Sequence, residues 1–252
     1  MRSILAAAAM TLLLCGCSGS SGTTAVAPVP SAPATPLPDM WRSIPDKKAG
    51  FSVALPTSWD VVTRDSPTFD ADLKAVGDQG PELAKYFTDA FGKNDQLRLL
   101  GADPRTLPQG FAANINVMTS DLGTTADAPT LDDVAKAKAK SLAAAAGVQK
   151  PVLRQADKMS GLGAVRFDYT LTANGTAVQV RSLVATVERG GRRFLVELTM
   201  GAPAAGAPSL FAAEQALFTL FDPSRPSPSP SPSRAATPTP TTGGQGSQTS
   251  SG

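Results

Sequence analysis

Hydrophobic and polar residues follow two periods along the middle of the chain, from about residue 41 to residue 221. Residues 51–55 and 59–63 alternate apolar with small or polar side chains, which is typical of half-buried strands. The turn-forming residues 56–58 lie between them. The pattern therefore predicts a β-hairpin at the start of the folded part.

Two helices are predicted next, over residues 69–76 and 81–91, where apolar residues recur at helical spacing. Pro81 suits the first position of a helix, and Gly92 suits its end. The second helix is amphipathic, so we expect its apolar face to pack on a sheet.

The clearest helix signal begins at Thr130 and ends at Gly147. Asp132 and Asp133 fall in its first turn, where the helix dipole favours carboxylates. Its inward face is lined by apolar residues, namely Leu131, Val134, Ala135, Leu142 and Ala145. Lys138 interrupts this face, and we expect its ammonium group to extend out into water.

Strands are predicted over residues 96–102 and 111–120. In the second of these strands Asn114 and Asn116 alternate with apolar residues, which predicts half-buried pairing.

After residue 148 the chain returns to strand-like alternation for about fifty residues. Residues 160–163 are expected to lead into a three-stranded antiparallel meander, with turns at Asn174-Gly175 and Gly190-Gly191. A closing helix is predicted over residues 209–221.

This order of elements predicts an α+β fold, an antiparallel sheet with helices packed on it. The folded domain is expected to span residues 39–221. Residues 17–38 are predicted to form a flexible linker, and residues 222–252 a disordered tail rich in Pro, Ser, Thr and Gly.

The first residues resemble a bacterial lipoprotein signal peptide. Arg2 precedes an apolar stretch over residues 4–14, and the lipobox-like sequence Leu14-Cys15-Gly16-Cys17 follows. Residues 1–16 are therefore predicted to be removed, and Cys17 to carry the lipid. An uncleaved anchor is excluded because about 20 apolar residues are needed to cross a membrane. An ordinary secretory signal cleaved elsewhere remains open.

Lipidation of Cys17 places the domain on the extracytoplasmic face of the cell membrane. A diacylglycerol group plus an amide-linked chain such as palmitate supplies the two hydrophobic anchors that stable attachment requires. Only Cys17 remains after cleavage, so no intramolecular disulfide is expected. The linker then spaces the domain by up to ~60 Å from the bilayer.

The composition argues against several classes of chemistry. The chain has no histidine, which removes the usual general base and the commonest metal ligand. Its net charge of +2 is too small to indicate a nucleic-acid partner. We therefore expect no catalytic residue, no cofactor and no metal site.

Paired carboxylates at Asp70/Asp72 and Asp132/Asp133 have the composition of an acid–base site. Both pairs start predicted helices, so dipole and capping roles explain them better than catalysis. Residues 160–163 contain two glycines but lack the lysine of a phosphate-binding loop.

Three surface features have two interpretations each. Residues 174–176 match a glycosylation acceptor, but hairpin geometry explains Asn174-Gly175 better. Arg189, Arg192 and Arg193 are expected to lie in a solvated loop, with headgroups or an acidic partner as the alternative. Seven aromatic residues are interpreted as ordinary core, with a lipid cavity as the alternative: Phe51, Trp59, Phe87, Phe91, Phe167, Phe194 and Phe218.

Residues 50–59 and residues 111–118, followed by the helix at Thr130, resemble the Mog1/PsbP-like superfamily, and within it the LpqN-type lipoproteins of actinobacteria. The resemblance covers most of residues 41–221 and implies an α/β/α sandwich. Its motifs are structural, so no binding residue is carried over. Members are binding and adaptor modules, acting on a GTPase in one branch and on photosystem II in another. The LpqN-type branch implies a role in the cell envelope, in glycolipid handling and its exporters.

Three functions follow as hypotheses. The first is a non-catalytic binding or accessory lipoprotein for an envelope lipid, a glycolipid or its exporter. The alternative is a structural or protein-interaction lipoprotein with no small-molecule ligand. The third is a hydrolase, which would need an unusual Ser/Lys or carboxylate site without histidine.

Overall fold

A computed structural model describes residues 40–173, 175–212 and 218–220, without the side chains of residues 150, 151 and 212. The strands, in chain order, are β1 (Trp41–Asp46), β2 (Phe51–Pro56), β3 (Asp60–Thr63), β4 (Leu97–Asp103), β5 (Ala113–Thr124), β6 (Val148–Met159), β7 (Leu162–Ala173), β8 (Thr176–Arg189), β9 (Arg192–Pro203) and β10 (Phe218–Leu220). The helices are α1 (Phe69–Gln79), α2 (Pro81–Lys93), α3 (Leu131–Ala144) and α4 (Ala207–Ala212), and a 3-10 helix spans Pro104–Gln109. The predicted α+β class is confirmed.

The described strands form two antiparallel sheets. A three-stranded sheet has the order β1-β2-β10, and a seven-stranded sheet has the order β3-β4-β5-β9-β8-β7-β6. In the larger sheet, β5 pairs with β9 although α3 and three strands separate them along the chain. This pairing joins the first half of the domain to the second.

The seven-stranded sheet has apolar packing on both faces. The three-stranded sheet covers one face, where Phe51 and Leu55 pack with Leu198 and other core residues. On the other face α1 and α2 lie over β3 and β4, and α3 lies over β7 and β8. Each fully buried Phe or Leu contributes roughly 2 kcal/mol, so this packing is the main stabilising force.

The predicted opening hairpin is wrong. Strand β2 pairs with β1 in the small sheet, whereas β3 pairs with β4 in the large one. The chain crosses between the sheets at residues 56–59, and Leu55 and Trp59 both pack beside Gly101. Apolar alternation identifies each strand but does not identify its partner, since both strands point into the same core.

The predicted closing helix is also wrong at residues 218–220. Helix α4 is described over Ala207–Ala212, and Phe218–Leu220 form strand β10 beside β2. Phe218 stacks on Phe51 with ring centroids 5.5 Å apart, and the amide of Leu220 donates to Ser160 Oγ at 2.9 Å. These distant contacts decide the conformation. The remaining predicted helical residues, 213–217 and 221, lie outside the described part.

Two smaller predictions need correction. Ser160 and Gly161 have φ values of +51° and +82° and form the turn between β6 and β7, so the meander has four strands and residues 160–161 are not a lead-in. Gly92 does not end α2, which continues to Lys93. The three predicted helices before residue 147 are otherwise confirmed, and Thr130 and Asp133 form a capping box at the start of α3.

The side chain of Arg98 on β4 connects the two sheets. Its guanidinium donates to Asp46 Oδ2 at 2.8 and 2.9 Å and lies 2.7 Å from Asp65 Oδ2. Asp46 ends β1 and also accepts a hydrogen bond from the amide of Ala49 at 2.9 Å. The contact therefore fixes the β1–β2 turn against the larger sheet.

Arg189 holds the same turn from the other side, and this makes Gly50 a sensitive position. Gly50 has φ +71°, its carbonyl accepts from Arg189 Nη2 at 3.1 Å, and a Cβ there would lie 2.5 Å from Arg189 Nη1. We expect Gly50→Ala to lower the free energy of unfolding by about 2 kcal/mol, because it adds backbone strain and displaces the guanidinium. Chemical denaturation measures this loss.

Gly190→Ala is the matched control. Gly190 has φ +55° but nothing lies within 4 Å of an added Cβ, so only the backbone strain applies. A loss at Gly50 no larger than the loss at Gly190 would show that the Arg189 contact does not stabilise the turn.

Candidate functional site between the helices

The register of the large sheet places polar residues in the centre of its helix-covered face. One row of directly paired residues runs Leu100, Asn116, Thr199, Ser182 and Phe167 from β4 to β7. Paired residues of antiparallel strands point to the same face. Leu100 packs with α2 residues and Phe167 with α3 residues, so the three polar residues lie between the two helix-covered areas.

Lys138 does not extend into water, which corrects the prediction from the sequence. Its side chain is 7% exposed, and its Nζ lies 2.6 Å from Glu197 Oε1. Glu197 belongs to β9, beneath α3, and its side chain is 5% exposed. Because the Glu197 carboxylate lies under the helix, the Lys138 ammonium group points inward and pairs with it.

One oxygen of Glu197 organises the cluster. Oε1 accepts from Lys138 Nζ at 2.6 Å, from Ser182 Oγ at 3.0 Å and from Thr199 Oγ1 at 3.0 Å. Charge-assisted hydrogen bonds of this kind offset the cost of removing two ions from water. The cluster is thus a built polar site inside an otherwise apolar layer.

Several groups around the cluster have hydrogen-bonding capacity that the described side chains do not use. None of these groups is a buried atom without a partner, so this capacity meets solvent. Within the described residues, Glu197 Oε2, the Asn116 amide and the Tyr169 hydroxyl make no side-chain hydrogen bond, and Lys138 Nζ makes only one. Burial raises the pKa of Tyr169, and the nearby Glu197 carboxylate raises it further. Tyr169 is therefore a neutral hydroxyl near Glu197, able to donate and to accept.

The cluster does not have the geometry of a Ser/Lys hydrolase. Ser182 is fully buried, and its hydroxyl donates to Glu197. A lysine acting as base must accept the proton of the nucleophile, whereas Lys138 donates to the same carboxylate. Across residues 40–173, 175–212 and 218–220, no group of three or more metal-ligating side chains comes together.

The carboxylate pairs singled out from the sequence have structural contacts. Asp132 lies 2.6 Å from Lys136 Nζ and 2.7 Å from Arg154 Nη2, and these two cations lower its pKa. Asp133 accepts from Thr130, whose side chain and amide lower its pKa.

The first pair is used in the same way. Asp70 and Asp72 lie in the first turn of α1, and Asp72 accepts from Thr68 Oγ1 at 2.8 Å. This position agrees with a dipole role for the first pair, and the contacts of the second pair agree with capping and ion-pair roles.

The arginines near the β8–β9 turn belong to the fold more than to a solvated loop. Arg193 lies 2.7 Å from Glu188 and donates to the carbonyl of Ala128, and Arg189 donates to Gly50. Arg192 is half-exposed and pairs with Asp121 at 2.7 Å. Only Arg192 keeps the exposure that the solvated-loop interpretation predicted.

The predicted core aromatics pack inside the domain. Phe51, Trp59, Phe87, Phe91, Phe167 and Phe218 are all buried, and Phe194 is half-buried. Gly175 has φ +79°, as a hairpin turn between β7 and β8 requires. Cys17 and Asn174 lie outside the described residues.

Asp60 is a separate acidic group at the β3 edge. Its Oδ1 accepts from Gln79 Nε2 at 2.6 Å, while its Oδ2 is buried without a hydrogen-bond partner in the described part of the chain. Burial raises the pKa of this carboxyl, the cationic Arg42 lowers it, and Asp103 raises it. It lies at the β3 edge, away from the β5–β9 centre of the sheet.

The sequence did not predict that Glu197, Ser182, Thr199 and Tyr169 belong to one site. For one pair of these residues, the sequence contains a weak indication of a buried contact. Lys138 interrupts the apolar face of a helix, and Glu197 sits in a strand between Val196 and Leu198. The two residues are 59 positions apart, so their contact follows only from the β5–β9–β8 arrangement.

The Lys138–Glu197 pair makes a testable contribution to stability. We expect Lys138→Met alone to lower the free energy of unfolding by about 3 kcal/mol, because it leaves a buried carboxylate without its counter-ion. Lys138→Met combined with Glu197→Leu should cost clearly less than the sum of the two single changes, since an apolar pair needs no charge compensation. A double-mutant cycle by chemical denaturation measures the coupling.

Lys136→Met serves as control, because Lys136 is exposed on the same helix and pairs with Asp132 at the surface. It should leave the free energy of unfolding nearly unchanged. Strict additivity of Lys138→Met and Glu197→Leu would show that the pair is not coupled.

No helix in the described part of the chain has both the length and the apolar character to cross a membrane.

No protein-family model and no curated protein matches this chain. Solved structures do. LpqN of Mycobacterium tuberculosis, described as involved in cell envelope biogenesis, matches 72% of this chain and 91% of its own, with 14% identity and a TM-score of 0.46. Cyanobacterial PsbP of Synechocystis sp. PCC 6803 matches 77% of this chain and 100% of its own, with 15% identity and a TM-score of 0.45.

A protein of Bacteroides thetaiotaomicron VPI-5482 matches 73% of this chain and 49% of its own, with 10% identity and a TM-score of 0.41. LpqN and PsbP, the proteins named by the sequence resemblance, are both among the matches. At these TM-scores and identities no function carries over to this chain.

Proposed function

We propose that this protein is a membrane-tethered extracytoplasmic lipoprotein that acts as a non-catalytic binding or accessory module of the cell envelope. Its partner is an envelope lipid or glycolipid, or the membrane exporter of such a molecule. The observation that carries the proposal is the sequence Leu14-Cys15-Gly16-Cys17 directly after the apolar residues 4–14.

The position of the domain along the chain supports a tether. The first described strand begins at Trp41, and residues 18–38 are rich in Pro, Ala and Ser. Such a segment spans ~3.1 Å per residue when extended. The domain then reaches ligands and membrane proteins well beyond the headgroup layer.

The chemistry of the domain supports a non-catalytic role. The chain has no histidine, and the Asp132/Asp133 pair is used in a helix cap and a surface ion pair. Ser182, which shares its carboxylate partner with Lys138, is buried and donates to that carboxylate. These residues support binding better than turnover.

The lipid anchor is tested with the two cysteines of the chain. We expect Cys17→Ser to abolish incorporation of labelled palmitate and to move the protein from the membrane fraction to the soluble fraction, because the acylated thiol is lost. Cys15→Ser is the matched control and should change neither result. Retention of label and membrane attachment in Cys17→Ser would contradict the anchor.

The binding role is tested on the full-length lipoprotein purified from its own membrane. Organic extraction and mass spectrometry should find a stoichiometric lipid or glycolipid that is absent from an unrelated lipoprotein purified in parallel. Crosslinking in the intact membrane should otherwise find one specific exporter. A blank in both measurements would overturn the proposal in favour of a structural lipoprotein.

A further inference from the structure

The carboxyl group of Asp60 has its two oxygens in opposite surroundings. Asp60 begins β3, the outermost strand of the large sheet, and its Oδ1 accepts from Nε2 of Gln79, the last residue of α1, at 2.6 Å. Gln79 is exposed, so solvent reaches this side of the contact. Oδ2 is buried, and no group in the described part of the chain donates to it. One carboxyl group thus combines a hydrogen-bonded oxygen with a buried oxygen that has no partner.

The buried oxygen favours the neutral form of this carboxyl group. A carboxylate oxygen that is covered and has no donor costs free energy, and an uncharged hydroxyl at the same place costs much less. The neutral group still accepts from Gln79, because its carbonyl oxygen stays at Oδ1. Uptake of a proton by Asp60 therefore removes the unfavourable charge and keeps the hydrogen bond.

The charged groups around Asp60 do not cancel this preference. On the β1 side, the guanidinium of Arg42 donates to the carbonyl of Trp59 at 3.3 Å and favours the carboxylate. On the β4 side, Asp103 disfavours it, and α1 contributes a neutral amide. Burial works to raise the pKa of Asp103, but the hydrogen bonds from Arg105 outweigh it, so Asp103 stays charged while Asp60 takes up its proton. Burial has the largest effect on Asp60 itself, and its pKa is raised.

The same contact holds the end of α1 on the sheet. Across the described residues it is the only side-chain hydrogen bond that joins α1 to β3. Val76 of α1 and Val62 of β3 belong to one buried apolar cluster, which holds the middle of the helix. After Gln79 the chain passes through Gly80, and α2 begins. Because helix ends open more easily than packed helix middles, the last turn of α1 is the part that this contact controls.

We propose that the Asp60–Gln79 contact is a proton-dependent closure of the end of α1 over the β3 edge. When Asp60 is neutral, the last turn of α1 lies closed on β3. When Asp60 is charged, this turn opens more often, and water reaches Oδ2. The closure does not depend on which ligand or partner the domain binds.

The sign of the pH dependence follows from linkage. In the open form the carboxyl group of Asp60 is hydrated and has the usual pKa of about 3.9. The closed form has the raised pKa and binds the proton more tightly, so lower pH favours closure. The gain begins as the pH falls through the raised pKa and is complete below the usual value.

Hydrogen exchange tests the closure on the exported full chain carrying Cys17→Ser, which needs no detergent. Mass spectrometry follows peptides that cover residues 69–79 between about pH 4 and pH 7.5, and each rate is divided by the intrinsic rate at that pH. We expect the opening constant of the last turn of α1 to be roughly fivefold smaller at the low end of this range, the effect of about one hydrogen bond.

Three variants assign the effect to the contact. Asp60→Asn keeps an acceptor for Gln79 but carries no charge, so it should hold the opening constant near its low-pH value throughout. Asp78→Asn is the matched control, because Asp78 is exposed in the same turn of α1, and it should keep the pH dependence of the unmodified contact. Gln79→Met removes the donor and should raise the opening constant at low pH.

The titration of Asp60 is measured separately, by NMR of protein labelled with carbon-13 at its aspartate carboxyl groups. The signal that disappears in Asp60→Asn should titrate with a midpoint clearly above about 3.9. A midpoint at or below this value, an opening constant that does not fall with pH, or a pH dependence that survives in Asp60→Asn overturns the inference. If Asp60→Asn does not fold, the signal is assigned as the one that shifts in Gln79→Met, and the same midpoint decides.

Discussion

The antiparallel pairing of β5 with β9 is the contact on which the rest of the domain depends. It joins the strands that carry α1 and α2 to the meander that carries α3. Its register sets Asn116 beside Thr199 and Met118 beside Glu197. A slip of one residue would turn every side chain of β5 to the opposite face. The polar row and both apolar areas beside it exist only in this register.

Burying the charged side chains of Lys138 and Glu197 costs desolvation free energy. A buried ion pair is often no more stabilising than an apolar pair of the same size. Here it replaces apolar packing at the centre of α3, and one oxygen of Glu197 accepts three hydrogen bonds.

Local pattern predicted the elements well and their partners poorly. The helix at Thr130 was predictable because its cap, its acidic first turn and its apolar face all agree. The hairpin at residues 51–63 was not, because two strands of different sheets share one core and therefore one apolar pattern. Phe218 could belong to a helix or a strand, and stacking on Phe51 decided for the strand.

The sequence by itself determined the α+β class, the position of most helices and strands and the lack of histidine chemistry. These are properties of composition and of short-range spacing. The anchor at Cys17 stays a prediction from the sequence. Only the tertiary structure decided the division into two sheets, the inward turn of Lys138 and the meeting of Glu197 with Lys138 and Ser182. These contacts join residues far apart along the chain, and side-chain periodicity holds no information about which distant strand will lie alongside.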